Sequence, residues 1–244
     1  MQRMSHGRPT MEKQPVFILY SERYTGIPTL KTGKRGSELK ILFQKMKNGA
    51  LHFCGISIGQ YKLLDGWKQT LSVLTEASGK FAEFILKSDG DSTIMKAALS
   101  LVTNIHFQRD KWHIIHQLKY ALWQDGVSKQ IKINIIQIVY RIVMLMEHMK
   151  PEIRLNVLFM MINQCIRDGY TSTATYLENC KDGLFTYNEY ENDKFTSKTE
   201  RSMRTINQRI NVGVWSEAGA LNVIKILLSY YYNGIGASDW QMRA

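Results

Sequence analysis

Cysteine is scarce in this sequence: Cys54, Cys165 and Cys180 are its only three, far apart and without a Cys-x-x-Cys pair. That excludes a disulfide framework and a cysteine-rich zinc site, and it fits a reducing compartment, cytoplasmic and nucleoid-associated in a prokaryotic cell. No long apolar run is uninterrupted. The most apolar stretch, 131–149, is broken at helical intervals by Lys132, Asn134, Gln137, Arg141 and Glu147, so it reads as a buried helix and not a membrane span. The first dozen residues have no apolar segment, so no secretory signal is expected. Acid is also in short supply, with 21 Asp and Glu against 32 Lys and Arg and a formal charge of +11. Such an excess points to a polyanionic partner, nucleic acid ahead of a membrane surface. What is present is core: 44% of the 244 residues are hydrophobic, which excludes a disordered chain and suits one large domain or two small ones.

Three β-rich runs come first, Val16 to Tyr20, Glu38 to Met46 and Leu51 to Ile58, and the tight Asn48-Gly49 connection makes the last two an antiparallel hairpin. A helix over Gly66 to Ser78 and a strand over Phe81 to Leu86 follow. Asp91 or Ser92 can then cap a helix carrying Met95, Leu99 and Val102. Ile105 to Gln108 is a fifth strand, and Asp110 can cap the next helix, with Ile114, Ile115, Leu118 and Leu122 inward. From there the pattern is helical: Lys129 to His148, Pro151 to Asp168 with Leu155, Leu158, Phe159, Ile162 and Ile166 buried, and Ser172 to Asp182. Two last helices run from about Lys198 to Arg209 and from about Ser216 to Tyr232, the latter closed by Gly234.

A β-β-β-α-β-α-β-α order is that of a mixed α/β, ribonuclease H-like sheet, here with an all-helical insertion before the last catalytic helix. The expected division is a disordered tail at 1–15, the first part of the catalytic domain at 16–125, the insertion at 126–195 and closing helices at 196–244. Two carboxylates fall where chemistry is expected. Asp89 lies just past the fourth strand, at the kind of strand end where α/β sheets put ligands, and Glu200 opens a late helix.

The segments Phe84 to Gly90, Phe107 to His113, Glu200-Arg201, Arg209-Ile210, Trp215 and Gly219 together resemble the catalytic core of insertion-sequence transposases of the Mutator-like DDE type. The resemblance covers Val16 to Gly234 and rests on short motifs. It implies Mg²⁺-dependent (or Mn²⁺-dependent) cleavage and transfer of DNA strands, with two ions held by carboxylates, Asp89 bridging them and Glu200 completing one coordination sphere. It also implies transposon ends and target DNA as partners, no membrane, and a homo-oligomer assembled on DNA. The family's first-strand aspartate is missing. No aspartate occurs before Asp65, and Glu22, within Ser21-Glu22-Arg23, is the only nearby substitute. With a repeat-reading N-terminal region also not in evidence, the resemblance implies a truncated copy impaired in strand transfer. The alternatives are a catalytically silent DNA-binding remnant and a structure-specific nuclease of the same fold.

Lys194, Lys198, Arg201, Arg204 and Arg209 surround Glu200 with almost no other acid, and they are the candidate phosphate contacts. Asp110, His113 and His116 recur every third residue and offer a minor zinc-site alternative. Trp67, Trp112 and Trp215 are expected in the core and not as base-stacking platforms.

Overall fold

A computed structural model of the chain describes residues 16–30, 33–60, 63–77, 82–145, 149–186, 200–210 and 212–234. The tail expected at 1–15 lies outside the described residues, as does much of the last part of the expected insertion. The fold is mixed α/β. Five strands, β1 (Val16–Thr29), β2 (Gly33–Lys45), β3 (Leu51–Gly59), β4 (Glu83–Ser88) and β5 (Ile105–Arg109), form one open sheet in the order β3-β2-β1-β4-β5. The hairpin partners are antiparallel, whereas β4 runs parallel to β1 and β5 parallel to β4. The Asn48-Gly49 turn forms as the sequence indicates, with Gly49 at φ +80°.

β1 is far longer than the apolar run that announces it. The register against β2 slips between Tyr24 and Ile27, where Gly26 takes φ +89°, and this bulge lets the strand continue through Pro28. Gly36 lies across it, so close that a Cβ there would stand 2.4 Å from the Gly26 carbonyl carbon. Past the bulge, Leu30 N–H donates to the Trp215 carbonyl at 2.9 Å and Trp215 N–H to the Pro28 carbonyl at 3.0 Å, which fastens the closing helices to the sheet.

Helices cover both faces. On one, α1 (Leu64–Leu71) and α3 (Ser92–Leu101) pack Trp67, Leu71, Ile94, Ala97 and Ala98 on Leu19, Leu42, Phe84 and Leu86. The expected helix over 66–78 is interrupted at Ser72, and α2 (Val73–Ala77) follows. On the other face, α8 (Glu200–Ile210) and α9 (Glu217–Asn233) lay Ile206, Ile210, Ala220, Ile224 and Leu228 on Tyr20, Leu39, Ile41 and Phe43. Beside β5, α4 (Lys111–Gln124), α5 (Lys129–Tyr140), α6 (Pro151–Arg167) and α7 (Thr171–Cys180) share a separate core that includes Leu118, Leu122, Val139, Leu158, Ile162 and Leu177.

In two helices the buried stripe includes residues other than large aliphatics. In α3 the buried residues are Ile94, Ala97 and Ala98, while Leu99 is 56% exposed; the small alanines allow close approach to the sheet. In α6 the stripe is rotated onto Arg154, Leu158, Met161, Ile162 and Cys165, leaving Phe159 and Ile166 exposed. The rotation buries the Arg154 guanidinium 4.0 Å over the Phe185 ring, a partner thirty-one positions on that helical periodicity cannot anticipate. Of the expected helix over 129–148, the last described turn, Arg141–Leu145, widens to π geometry. The N-terminus of α7 is capped from a distance, since the Asp125 carboxylate accepts from the amides of Ser172 at 2.9 Å and Thr173 at 2.7 Å.

The helical block returns along the open edge of β5. Arg109 N–H donates to the Gly183 carbonyl at 2.8 Å, the Thr186 hydroxyl to the Phe107 carbonyl at 2.7 Å, and the Gln108 side-chain amide to the Leu184 carbonyl at 3.2 Å. An edge that would otherwise present unpaired groups is thereby covered.

Candidate active site at the ends of β1, β4 and β5

Parallel pairing brings the C-terminal ends of β1, β4 and β5 to one edge of the sheet. Lys87 pairs with Tyr20 on one side and Ser88 with Arg109 on the other, so Asp89 leaves β4 between its two neighbours. The turn after it is tightly organised. Asp91 N–H donates to Asp89 Oδ1 at 3.0 Å and Gly90 N–H to the Ser88 hydroxyl at 3.2 Å. Gly90 has φ +85°, a conformation that strains any other L residue, and a Cβ there would displace the Arg109 guanidinium, whose Nη1 lies 1.9 Å from its position. Arg109 spans from this turn to the end of α7, donating to the carbonyls of Gly90 at 3.4 Å, Asn179 at 2.6 Å and Asp182 at 3.3 Å. The helical block is thus tied to the carboxylate corner.

Of Asp91 and Ser92, the structure selects Asp91 as the cap of α3, accepting from the Thr93 amide at 2.8 Å and the Thr93 hydroxyl at 2.6 Å. The charge facing both carboxylates is an arginine. Arg23 Nη2 lies 2.9 Å from Asp89 Oδ2, and its Nη1 bonds Asp91 Oδ2. Burial works against the Asp91 carboxylate, but the Thr93 donors and the Arg23 guanidinium outweigh it and hold its pKa below the usual carboxylate range. A depressed folded-state pKa contributes stability that is complete above the unfolded value of about 3.9 and is lost as pH falls through the lower folded value. Asp91→Asn keeps a capping oxygen but removes the charge. It should therefore cost about 1–2 kcal/mol at neutral pH, with the deficit shrinking below about pH 3.5. Urea denaturation of both proteins across pH 2.5 to 7 checks this, and a deficit constant in pH would contradict it.

The other anticipated residues are placed as follows. Glu22 lies in β1 opposite Ile41, two residues beyond Tyr20, whose β4 partner is Lys87; Asp89 follows two residues after Lys87, in the turn beyond the end of β4. The alternation of β1 puts position 22 on the face of Tyr20 and Tyr24, which is the face that α8 covers through Ile206, Ile210 and a hydrogen bond between Tyr24 and Asn207. Glu200 is the first residue of α8, two helical turns before Asn207. The side chains of Glu22, Glu200 and Arg201 lie outside the described residues, as do Lys194 and Lys198. Arg204 and Arg209 are both exposed on α8. Ser21 is on the opposite face, buried, with its hydroxyl donating to the Lys87 carbonyl at 3.0 Å. Arg23 shares that face by the alternation of β1, so the residue that engages Asp89 comes from the Ser21 side, and positions 21 and 22 both stay first-strand candidates.

Arg23 and Arg109 are the residues that reading the sequence missed. Arg23 had one signal, a basic residue immediately after the expected acidic position; Arg109 had none, because all three of its carbonyl partners come from distant turns. Asp110 does cap α4, accepting from the Trp112 amide at 2.8 Å, with His113 Nδ1 3.3 Å from its other oxygen. His116 instead stacks on Trp112, so the three residues do not assemble as a zinc site. Among the described residues, no group of three or more His, Cys, Asp or Glu side chains is placed to hold a metal ion. Trp67 is buried as expected, but Trp112 is 59% exposed, contrary to expectation.

As the described side chains stand, this corner does not fit a divalent ion. The cation position beside Asp89 is taken by a guanidinium, and Asp91 is engaged by the cap and the same arginine. No helix among the described residues is long and apolar enough to cross a membrane. The sequence matches no protein-family model and no curated protein, so the functional reading rests on the geometry of this corner and on the charge around it.

Proposed function

We propose that the chain is the ribonuclease H-like catalytic core of a Mutator-like DDE transposase, that it binds DNA, and that it is impaired in strand cleavage and transfer. The observation that carries this reading is that β1 and β4, paired at Tyr20 and Lys87, run to the same edge of the sheet just before position 22 and Asp89, with α8, which begins at Glu200, packed on the face of Tyr20 and Tyr24. These are the three places from which such a site draws its carboxylates. The strand order β3-β2-β1-β4-β5, with a meander followed by two parallel additions, supports the fold assignment. Two Mg²⁺ or Mn²⁺ ions belong to the transposase resemblance, with Asp89 and Glu200 as the residues that would hold them, and the Arg23 pairing with Asp89 is what the impairment rests on. Transposon ends, target DNA and self-association on DNA belong to it as well.

The Arg23 pairing with Asp89 and Asp91 favours a second reading, in which the corner is silent and the chain retains DNA binding alone. Both readings share a basic surface on α8, where the sequence from Arg201 to Ser216 contains no acid. Affinity for duplex DNA should therefore fall steeply with salt and depend little on sequence, because binding releases condensed counterions. Arg204→Gln and Arg209→Gln should each lower the slope of log K against log salt by about 1. Fluorescence anisotropy with unrelated 30-base-pair duplexes measures it. Salt-independent or sequence-selective binding would remove the shared basis of both readings.

A further inference from the structure

α4 turns a row of rings toward solvent. Its buried side consists of Lys111, Ile114, Leu118, Ala121 and Leu122. At about 100° per residue, Trp112, His116, Lys119, Tyr120 and Trp123 fall together on the opposite side. Trp112 is 59% exposed, Tyr120 56% and Trp123 66%. The rings are already ordered in pairs. Trp112 and His116 stack with centroids 5.0 Å apart and planes 13° apart, and Tyr120 and Trp123 lie 5.8 Å apart at 32°. From Trp112 to Trp123 the row extends about 16 Å along the helix. It starts at the carboxylate corner, because Asp110 N–H donates to the Ser88 carbonyl at 2.8 Å.

Charge and lining select the occupant. Between residues 112 and 145 there are four basic residues, Lys119, Lys129, Lys132 and Arg141, none of them buried, and the single acid, Asp125, is engaged at the start of α7. Beside the row, α4 and α7 enclose a shallow depression of about 480 Å³ lined by Gln117, Tyr120, Gln124, Thr175 and Asn179. Amides and hydroxyls of this kind can donate to and accept from the edges of bases. The exposed row itself contains no Leu, Ile, Val or Met. That sets it apart from the groove between α5 and α6, lined by Ile131, Ile138, Val157 and Met160, whose aliphatic character suits a protein partner.

We propose that this face of α4 is a stacking platform for the unpaired bases of a nucleic-acid strand. The ring pairs Trp112–His116 and Tyr120–Trp123 each receive a base, Lys119 faces the backbone, and the depression addresses base edges. Stacking on exposed rings suits single strands, because every base has a π face and a duplex hides it. The proposal deepens the DNA-binding reading and rests on it.

The test uses the full chain with fluorescein-labelled oligo(dT) of 20 nucleotides and, separately, a 20-base-pair duplex. Trp112→Ala and Trp123→Ala remove side chains that are mostly in solvent, so circular dichroism and melting temperature should be unchanged. Each variant should weaken oligo(dT) binding about five- to a hundredfold while leaving duplex binding within about twofold. Binding of oligo(dT) should also quench tryptophan fluorescence, and less so in each variant. Unchanged oligo(dT) affinity in both variants would overturn the proposal, as would equal losses on duplex and single strand. A self-associated unmodified chain that becomes monomeric on Trp123→Ala would overturn it too, in favour of a contact between copies. Failure of the unmodified chain to bind duplex would instead remove the DNA reading itself.

Discussion

Lys40→Met should destabilise the protein by about 3–5 kcal/mol, a large part of the stability of an ordinary domain. Lys40 Nζ lies 2.5 Å from Glu38 Oε1, and each side chain is only 1% exposed. The pair sits on β2 beneath α1, where the Lys40 side chain runs past Gly66, so close that a Cβ there would be 3.2 Å from it, and its ammonium lies 5.9 Å from the centre of the Trp67 ring. Removing one member leaves the other charge inside the protein with its main counter-ion gone, and water cannot replace it at that depth. The double variant Glu38→Gln, Lys40→Met removes both charges and should recover most of the loss, because the desolvation penalty disappears together with the attraction. Urea denaturation of the three proteins at pH 7 decides it. A single variant within about 1 kcal/mol of the parent would show that Glu38 does not depend on Lys40.

This buried pair also shows where reading the sequence stops. The alternation of Glu38, Lys40 and Leu42 with Leu39, Ile41 and Phe43 reads as a strand with one wet side, and strand is what forms. Both faces of β2 are nevertheless covered, one by α1 and the other by α9, so the polar side of the alternation is buried too. Features fixed by a few adjacent residues were legible: the Asn48-Gly49 turn, the Asp91 and Asp110 caps, and Gly234 closing α9 in left-handed geometry. Features that depend on distant partners were not. The continuation of β1 past Tyr24 needs Gly26 at positive φ and Gly36 without a side chain against the Gly26 backbone. The rotation of α6 needs Phe185 to cover Arg154. At the site the same division holds. The Asp89-Gly90 turn announced itself by composition and strand context, while Arg23 became visible as its partner only once β1 and β4 were seen side by side.

That partnership sets the expected result for catalysis: the unmodified chain should join pre-cut donor-end oligonucleotides to plasmid DNA no better than Asp89→Asn does. Arg23 binds the Asp89 oxygen that a catalytic site would need to present, and it is anchored at its other nitrogen by Asp91, so swinging it away breaks two charged contacts at once. Position 22 carries glutamate where the transposase resemblance calls for aspartate, and a carboxylate displaced by one methylene is expensive in a site that depends on placement. A deficit of about 4 kcal/mol in transition-state stabilisation is roughly a thousandfold in rate. Two changes act on these separate causes. Arg23→Gln frees Asp89, while Glu22→Asp shortens the first-strand carboxylate; Ser21→Asp would instead offer a carboxylate from the side of β1 that Arg23 occupies. The combination Glu22→Asp, Arg23→Gln should raise joining more than either single change, and adding Asp89→Asn should abolish the gain. Mn²⁺ binding followed by electron paramagnetic resonance gives a readout independent of activity: weak or none for the parent, saturable for the double variant. Efficient joining by the parent, lost on Asp89→Asn, would show that Arg23 yields its place when DNA is bound and that the chain is a working transposase.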